Sequence, residues 1–551
     1  MSELKFIALS GTTGATENLY VYEYGNDMII VDCGVGFPDP EMLGVDLVIP
    51  DFGYIIKNKH KLRGIVVTHG HEDHLGALPF LFREGITAPI YATRLTAAFI
   101  EDKFVDYEVR NARVSVIDPE RDIKIKLGAF GVSVFRVSHS VPDAVGLLID
   151  TPEGAMMHVP DYKFDWSSVD GKPFDVAKAV SLASKGVLAL ASDALGSTTP
   201  GHTESESVLE ERIETVVTKA KNRVFFTTIS SNISRMQQAI RAAEKTNRKV
   251  AFVGRSMERK AAIARKLGYL RYSNDIEVHM RKAAKMNRDK VLFIISGCYG
   301  QPGSALHRVA EGEHRFLKID PQDTVIFSAD PAPPGSKVKV DYVVDRLLEA
   351  RVDVHYYDLQ EDLHVSGHGS QGDIRLLFGL VKPRYFIPIG GTVRHMRAYS
   401  QLAQGLGAEP GNVFELKPGD SVEFEKGHAK RGKRIPVRSV LVDGLGVGDV
   451  GNIVLRDRRI LSREGFVIAL MQLDSATGTL SAKPELVTRG FVFAKDSKEV
   501  LEKAVDQLVS RTKKGKLNQH QLKALAVDTL EKFFFEELER RPMVLPVVIE
   551  I

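Results

Sequence analysis

One stretch constrains this chain more than any other: Thr68 to Leu75, THGHEDHL. Four potential metal ligands, His69, His71, Asp73 and His74, fall within six residues. The apolar run Gly64-Ile65-Val66-Val67 before it reads as a short buried strand, and Leu75 to Glu84 reads as a helix. The cluster therefore sits on a strand-to-helix loop, where side chains can converge on one point. Imidazoles suit zinc and manganese, and a carboxylate divides charge between two ions. Three histidines and an aspartate at this spacing favour a metal site over a solvated polar turn.

Two further candidates follow strands in the same way. His139 comes after the alternating run Val132 to Val137, and Asp161 after Met156 to Val159. With His69 and His71, His139 would complete a three-histidine site. Asp161 would bridge to a second ion held by Asp73 and His74. Two ions roughly 3.5–4 Å apart can activate water and clamp a phosphate together. Asp32 ends the buried run Met28 to Asp32. It serves either to orient a ligand histidine or to start the following turn, and spacing alone does not choose. His158 reads as structural.

A chain of 551 residues predicts roughly three domains. No apolar run reaches the length of a membrane span, and the first residues lack the pattern of a signal peptide. Two distant cysteines, Cys33 and Cys298, point to a reducing compartment, hence the cytoplasm, with each thiol a small core residue. A net charge of +3 is close to neutral, so any phosphate-binding surface must come from local clustering.

Residues 1–205 read as the first part of the metal domain. Residues 206–350 alternate strand and helix from about Lys221 onward, the pattern of a doubly wound α/β insertion. Within it, the Gly/Pro-rich turns SGCYGQPGSA and ADPAPPGS are weak ligand-loop signals. Residues 351–425 return to the metal domain, with LHVSGHG at Leu363–Gly369 and the glycine turn PRYFIPIGG at Pro383–Gly391. Residues 426–460 read as a linker; its basic run Lys426–Arg438 is a solvated segment or, on the second reading, a phosphate contact. Residues 461–551 form a small α+β unit, with strands at Gly465–Leu473 and Arg489–Ala494 and amphipathic helices at Ser497–Arg511 and Asn518–Glu539, Asn518 as N-cap. Its apolar last strand would pack on a second copy or a partner.

HxHxDH is the signature of the metallo-β-lactamase superfamily. The stretches FPDPEMLGVDLVIPDF, VVTHGHEDHLGALP, FRVSHSVPDAVG, PDYKFD, SSNISRMQQ, VGRSMERK, HVSGHGSQGD, VDGLGVGDVGNIVLRDRR, TRGFVF and RRPMVLPV together resemble the bacterial ribonuclease J family, of the β-CASP branch, over nearly the whole length. That resemblance implies an αββα metallo-β-lactamase sandwich with an inserted β-CASP domain. It implies 5′-to-3′ exonuclease and endonuclease activity in RNA processing and decay, and two zinc or manganese ions. It implies a homodimer or homotetramer, or a hetero-oligomer with a related nuclease, and no membrane partner. The substrate would be RNA, 5′-monophosphorylated.

Residue by residue, the resemblance gives His69, His71 and His139 one ion, Asp73 and His74 the other, with Asp161 bridging. His364, Val365, Ser366, Gly367 and His368 would bind the terminal phosphate and nucleotide, with Ser231 and Asn232 lining the channel. Asp193 would support His364 as proton donor. A structural calcium ion would sit where Asp443 meets the Leu43–Val45 backbone. Departures cluster around the same cleft. Gly390 stands where the family carries its last ligand histidine, Ser234 replaces a histidine, and Pro160 replaces a glycine. The alternative to an active nuclease is a weakly active or inactive RNA-binding homologue that partners an active one.

Overall fold

The computed structural model describes residues 3–329, 335–356, 363–444, 446–491, 497–513 and 515–551. They form two compact units: Met1–Phe37 with Leu47–Val440, and Pro38–Asp46 with Leu441–Ile551.

The larger unit is built on two facing sheets. The eight-stranded sheet runs, in spatial order, His428–Arg431, Ser421–Glu425, Leu4–Ser10, Leu19–Tyr24, Asp27–Val31, Leu62–Val67, Ile90–Ala92 and Val114–Val116. The six-stranded sheet runs Tyr385–Ile389, Ala189–Asp193, Gly154–Val159, Val145–Thr151, Phe130–Arg136 and Lys124–Leu127. Phe6, Tyr20, Val66, Val132, Leu147 and Ile387 are among the side chains that fill the space between the sheets. On the outer face of the six-stranded sheet, Leu148, Leu190 and Phe386 pack with Ile374, Phe378 and Tyr399 from the helices Gln371–Val381 and Val393–Gly405. This layering is the expected αββα sandwich. Burial of both sheet faces explains why strands such as Leu62–Val67 read as continuous apolar runs rather than as alternations.

The helix expected over Leu75–Glu84 is two pieces, Glu72–Leu75 and Leu78–Arg83. Ala77 donates its N–H across to Cys33 O at 2.9 Å, and Pro79 has no N–H to continue a helical ladder. The first piece thus starts earlier than expected and carries Asp73 and His74 on a single turn.

The inserted segment is a five-stranded parallel sheet in the order Lys249–Val253, Val291–Ile295, Val224–Thr227, Thr324–Phe327, Asp353–His355. Its last strand lies beyond the expected boundary at residue 350. Part of the expected linker is also ordered: His428–Arg431 forms an antiparallel hairpin with Ser421–Glu425 at the edge of the large sheet. Lys430 there pairs with Glu423, and Arg431 and Arg434 with Asp420, so the basic run is partly neutralised.

In the smaller unit, strand Phe466–Asp474 pairs with Glu485–Arg489 and Thr479–Leu480 and, in parallel, with Met543–Glu550. Helices Ser497–Thr512 and Gln519–Leu538 cover one face around Val467, Ala469, Leu508, Leu522, Leu530 and Phe534. Asn518 caps the second helix, its side chain accepting from Gln521 N at 2.9 Å. The strand expected at Arg489–Ala494 instead ends at Arg489; residues 492–496 lie outside the described residues.

Candidate metal centre

Every side chain of the centre leaves the end of a buried strand. His69, His71, Asp73 and His74 follow Leu62–Val67, His139 follows Phe130–Arg136, and Asp161 follows Gly154–Val159. The neighbouring parallel strands Gly154–Val159, Ala189–Asp193 and Tyr385–Ile389 are in register, so Asp161, Asp193 and Gly390 emerge at one sheet edge.

His69 Nε2 lies 3.2 Å from His71 Nδ1, and His139 Nε2 lies 3.1 Å from the same atom. Asp161 Oδ2 is 3.5 Å from both His69 Nε2 and His139 Nε2, while its Oδ1 is 3.4 Å from His74 Nε2. Asp73 Oδ2 is 3.6 Å from His74 Nε2. Two ligand sets result, His69-His71-His139-Asp161 and Asp73-His74-Asp161, joined by one carboxylate with an oxygen toward each. Burial, with the neighbouring histidines, holds His71 well below its ordinary pKa. Burial does the same to His139, against the pull of Asp161. Neutral imidazoles present lone pairs, so three converging nitrogens and shared carboxylates fit divalent cations.

Supporting contacts fix these rings. Gly367 O accepts from His139 Nδ1 at 2.7 Å, which leaves Nε2 as the ligand atom. Only glycine fits there, because an added Cβ would stand 2.7 Å from the His139 ring. Asp32 accepts from Thr68 N at 2.8 Å and lies 2.8 Å from His74 Nδ1. Of its two open readings, orienting a histidine is the one the structure bears out. Its φ of +60° is a conformation that aspartate tolerates better than most residues. Burial opposes a charge on His74, but the carboxylates of Asp161, Asp32 and Asp73 raise it well above its ordinary pKa. Asn18, which sequence reasoning missed, sets Nδ2 3.1 Å from both Asp73 O and His74 Nε2. Nothing but its place after the Gly/Thr-rich stretch Gly11–Thr16 could have flagged it. His158 belongs to neither ligand set, and its Nδ1 lies 2.9 Å from the Tyr22 hydroxyl.

One expected pairing is corrected. Asp193 Oδ2 meets His368 Nδ1 at 2.7 Å, not His364. Burial opposes protonation of His368, yet Asp193 and Asp161 push it up to about 9. Its Nε2 faces Asp161 Oδ2 at 4.0 Å, so Asp161, Asp193 and His368 form a third cluster against the two ligand sets. His364 sits near Arg235, Glu206 and Lys163. Burial, Arg235 and Lys163 outweigh Glu206 and press it down to about 3, and its Nδ1 has no partner among the described residues. It is not the residue that Asp193 supports.

The remaining expected binding residues differ in availability. Ser366 is exposed and its Oγ accepts from His368 N at 3.1 Å, while Val365 and Ser231 are buried. Asn232 is also buried, and its Oδ1 is spent capping helix Ile233–Lys245 through Arg235 N at 2.9 Å. Gly390 has φ +66° and offers no side chain; an added Cβ would lie 3.5 Å from Asp193 Oδ1. His395 does not take its place, because its Nδ1 lies 3.2 Å from Thr392 N in a capping box. In the smaller unit, Arg458 stands where a calcium ion was expected: Nη2 is 2.5 Å from Asp443 Oδ2, and Nη1 donates to Leu43 O at 2.9 Å. With the carboxylate and carbonyl already paired to a guanidinium, the described arrangement does not fit a cation there.

The sandwich, the inserted parallel sheet and the paired ligand sets define a metallo-β-lactamase-fold protein of the β-CASP type. The β-lactamase superfamily domain matches residues 28–185, the ribonuclease J β-CASP domain residues 221–347, and the ribonuclease J C-terminal domain residues 453–551. The chain is 35% identical over 552 residues to ribonuclease J2 of Bacillus subtilis (strain 168), covering 100% of this chain and 99% of that one. It is 35% identical to ribonuclease J 1 of Streptococcus pyogenes serotype M3 and 34% identical to ribonuclease J 2 of Staphylococcus saprophyticus, each over 100% of this chain and 98% of the other. A solved structure of a protein of unknown function from Enterococcus faecalis V583 shares the fold at 16% identity, with a TM-score of 0.53 over 77% of this chain and 100% of that one. The chain belongs to the ribonuclease J family.

Proposed function

We propose that this chain is a metal-dependent ribonuclease that hydrolyses RNA phosphodiester bonds in RNA processing and decay. The observation that carries the reading is the convergence of two ligand sets on one bridging carboxylate, Asp161, beside the His368–Asp193 pair. His69, His71 and His139 would hold one ion, Asp73 and His74 the other. Such a pair, when bound, supplies a water nucleophile at neutral pH and neutralises charge on the phosphate.

The chain's own residues do the rest. Asp161 keeps the ligand sets in fixed relation. Asp32 and Gly367 O hold His74 and His139 in the ligating tautomer. His368, held by Asp193, donates the proton that the leaving oxygen needs. The role expected of His364 thus passes to His368, and His364 with Ser366 and the Val365–Gly367 backbone is left to bind the RNA. Zinc or manganese suits the His/Asp donor set. The finer activity is 5′-to-3′ exonuclease and endonuclease cleavage of 5′-monophosphorylated RNA. The family likeness supports the cytoplasm as its place, as do two buried cysteines that form no disulfide. No helix among the described residues is long and apolar enough to cross a membrane.

For assembly we propose a homodimer or homotetramer, or pairing with a related nuclease, through the smaller unit. Leu545, Val547 and Ile549 of its last strand are exposed on one face of the sheet, an apolar stripe that a partner would cover. Light scattering of the full chain at micromolar concentration tests this, and a monomer would defeat it.

Metal content by mass spectrometry, together with decay of a 5′-monophosphorylated RNA, tests the activity. Metal-dependent release of nucleotides is expected, and a metal-loaded chain that leaves such RNA intact would overturn it. Gly390 supports the second reading, a weakly active partner subunit, because it removes one imidazole from the second set.

A further inference from the structure

Among the described residues, the inserted segment touches the turn that carries Asp73 and His74 through the side chain of Lys260. Helix Arg255–Leu267 of the insertion lies against helix Arg94–Asp106 of the metal-binding segment. Arg259 pairs with Asp102, at 2.5 Å from Nη2 to Oδ1, and with Asp106. Both of these contacts stay within the two helices. The next residue behaves differently. Lys260 Nζ stands 5.2 Å above the Phe99 ring and 3.2 Å from Glu72 Oε1, and Lys103 Nζ takes the other oxygen of that carboxylate at 2.5 Å. The Lys260 and Lys103 side chains are only 11% and 16% exposed, whereas that of Arg259 is 29% exposed. Glu72 is therefore gripped from both sides by cations largely withdrawn from water.

Glu72 lies between His71 and Asp73, and it begins the turn Glu72–Leu75. Its carbonyl accepts from Val35 N at 3.0 Å and from Gly76 N at 2.7 Å, so its main chain ties that turn to the strand ends beneath. Asp73 and His74 project from the same turn. A residue whose backbone sets the aim of two ligands thus has its side chain anchored by a lysine of the insertion.

We propose that Lys260 is a positioning residue for the second ion: by holding Glu72 it fixes the turn that aims Asp73 and His74, so that docking of the inserted segment sets metal affinity. This rests on the two-ion reading of the centre. It adds to that reading a physical link between the inserted segment and the metal ligands. Ligand orientation is costly to lose, because an ion samples every misdirected conformer as a weaker site.

The test is titration of Mn²⁺ into the metal-stripped full-length chain by calorimetry, with kcat and KM on 5′-monophosphorylated RNA measured alongside. Lys260→Met keeps the apolar stem over Phe99 and removes the charge. It should weaken the second ion by about ten-fold, the lower end for a residue that orients ligands, and lower kcat at limiting metal with KM unchanged. Lys260→Arg should restore most of both. Arg259→Met loosens the same helix pair without touching Glu72, so it should lower the thermal midpoint and leave the second affinity as in the parent. Parent-like binding of both ions by Lys260→Met would overturn the proposal. An equal loss in Arg259→Met would do the same, since it would make the effect one of general packing. A parent that binds both ions yet cleaves no RNA would sink the hydrolase reading alone, and the titrations would still decide this one.

Discussion

The two ligand sets are built to different standards. His69, His71 and His139 close on one another at 3.1–3.2 Å, and the last is locked by a backbone carbonyl that only a glycine at 367 permits. Asp73 and His74 share Asp161 with that set, but at position 390, where the family resemblance leads one to expect another imidazole, this chain has a glycine. The second set has correspondingly more outside support: Asp32 behind His74, Asn18 on Asp73 and His74, and Lys260 through Glu72. The difference teaches that a half-site short of an imidazole can keep its shape through neighbours, and the expectation is a weaker hold on its ion. An ion held by fewer imidazoles exchanges more easily for water.

The largest effect should come from breaking the stronger set. His71 Nδ1 is the atom that both other imidazoles approach. His71→Ala should leave RNA cleavage at background and remove the first ion, with the fold retained, as read by metal analysis and circular dichroism. Cleavage at the parental rate would refute the assignment.

Next comes the residue facing both sets. Loss of a positioned general acid typically costs about 10²–10⁴-fold, and His368→Gln should reduce kcat within that range while both ions still load. Asp193→Asn should cost less, because it only loosens the ring that His368 presents. His364→Gln should act on KM instead of kcat. If His364→Gln took the larger kcat loss, the reassignment of the proton donor would be reversed.

A smaller effect tests the support behind the weaker set. Asp32→Asn keeps the size of the side chain and tolerates the positive φ, but removes the charge facing His74. Weakening of the second ion by about 10–100-fold, with the first ion unchanged, is the expected result in a metal titration. Equal weakening of both ions would show that the two sets do not behave as separate sites.

The inserted α/β sheet and the loop-borne ligands were legible in the chain because each depends on local pattern, whereas the sandwich was expected from the family resemblance. Strands buried on both faces write themselves as apolar runs, and ligands follow directly behind them. What the pattern could not convey is pairing across long separations. Asp193 and His368 are 175 residues apart, and nothing in either neighbourhood says which of the histidines 364 and 368 turns toward the carboxylate. Asn18 and Lys260 are silent for the same reason: one is a turn residue and the other a helix-surface lysine until the fold carries them to the loop. The break between Leu75 and Leu78 was missed because the Ala77 N–H turns to a tertiary partner, Cys33 O, and helical periodicity does not register this.

The smallest effect, and the one that sharpens the comparison most, comes from returning the missing imidazole. At Gly390 an added Cβ would meet Asp193 Oδ1 at 3.5 Å, an ordinary contact, so space does not forbid a side chain. The backbone does resist it: φ is +66°, and a left-handed conformation costs a non-glycine residue about 1–2 kcal/mol. That strain falls on the folded protein whether or not metal is present. It therefore lowers the thermal midpoint of Gly390→His without weakening the metal site directly. Part of the ligand's benefit is lost as well, since the new ring must find its aim in a turn whose N–H is already committed to Gly11 O at 2.8 Å. The net expectation is a second ion bound about ten-fold more tightly, equivalent to about 1.4 kcal/mol, with faster RNA cleavage at limiting metal and no change at saturation. A Mn²⁺ titration of the parent and the variant side by side reads this directly. An unchanged second affinity would mean that the turn aims the ring elsewhere. Two ions already held with equal affinity in the parent would remove the asymmetry itself.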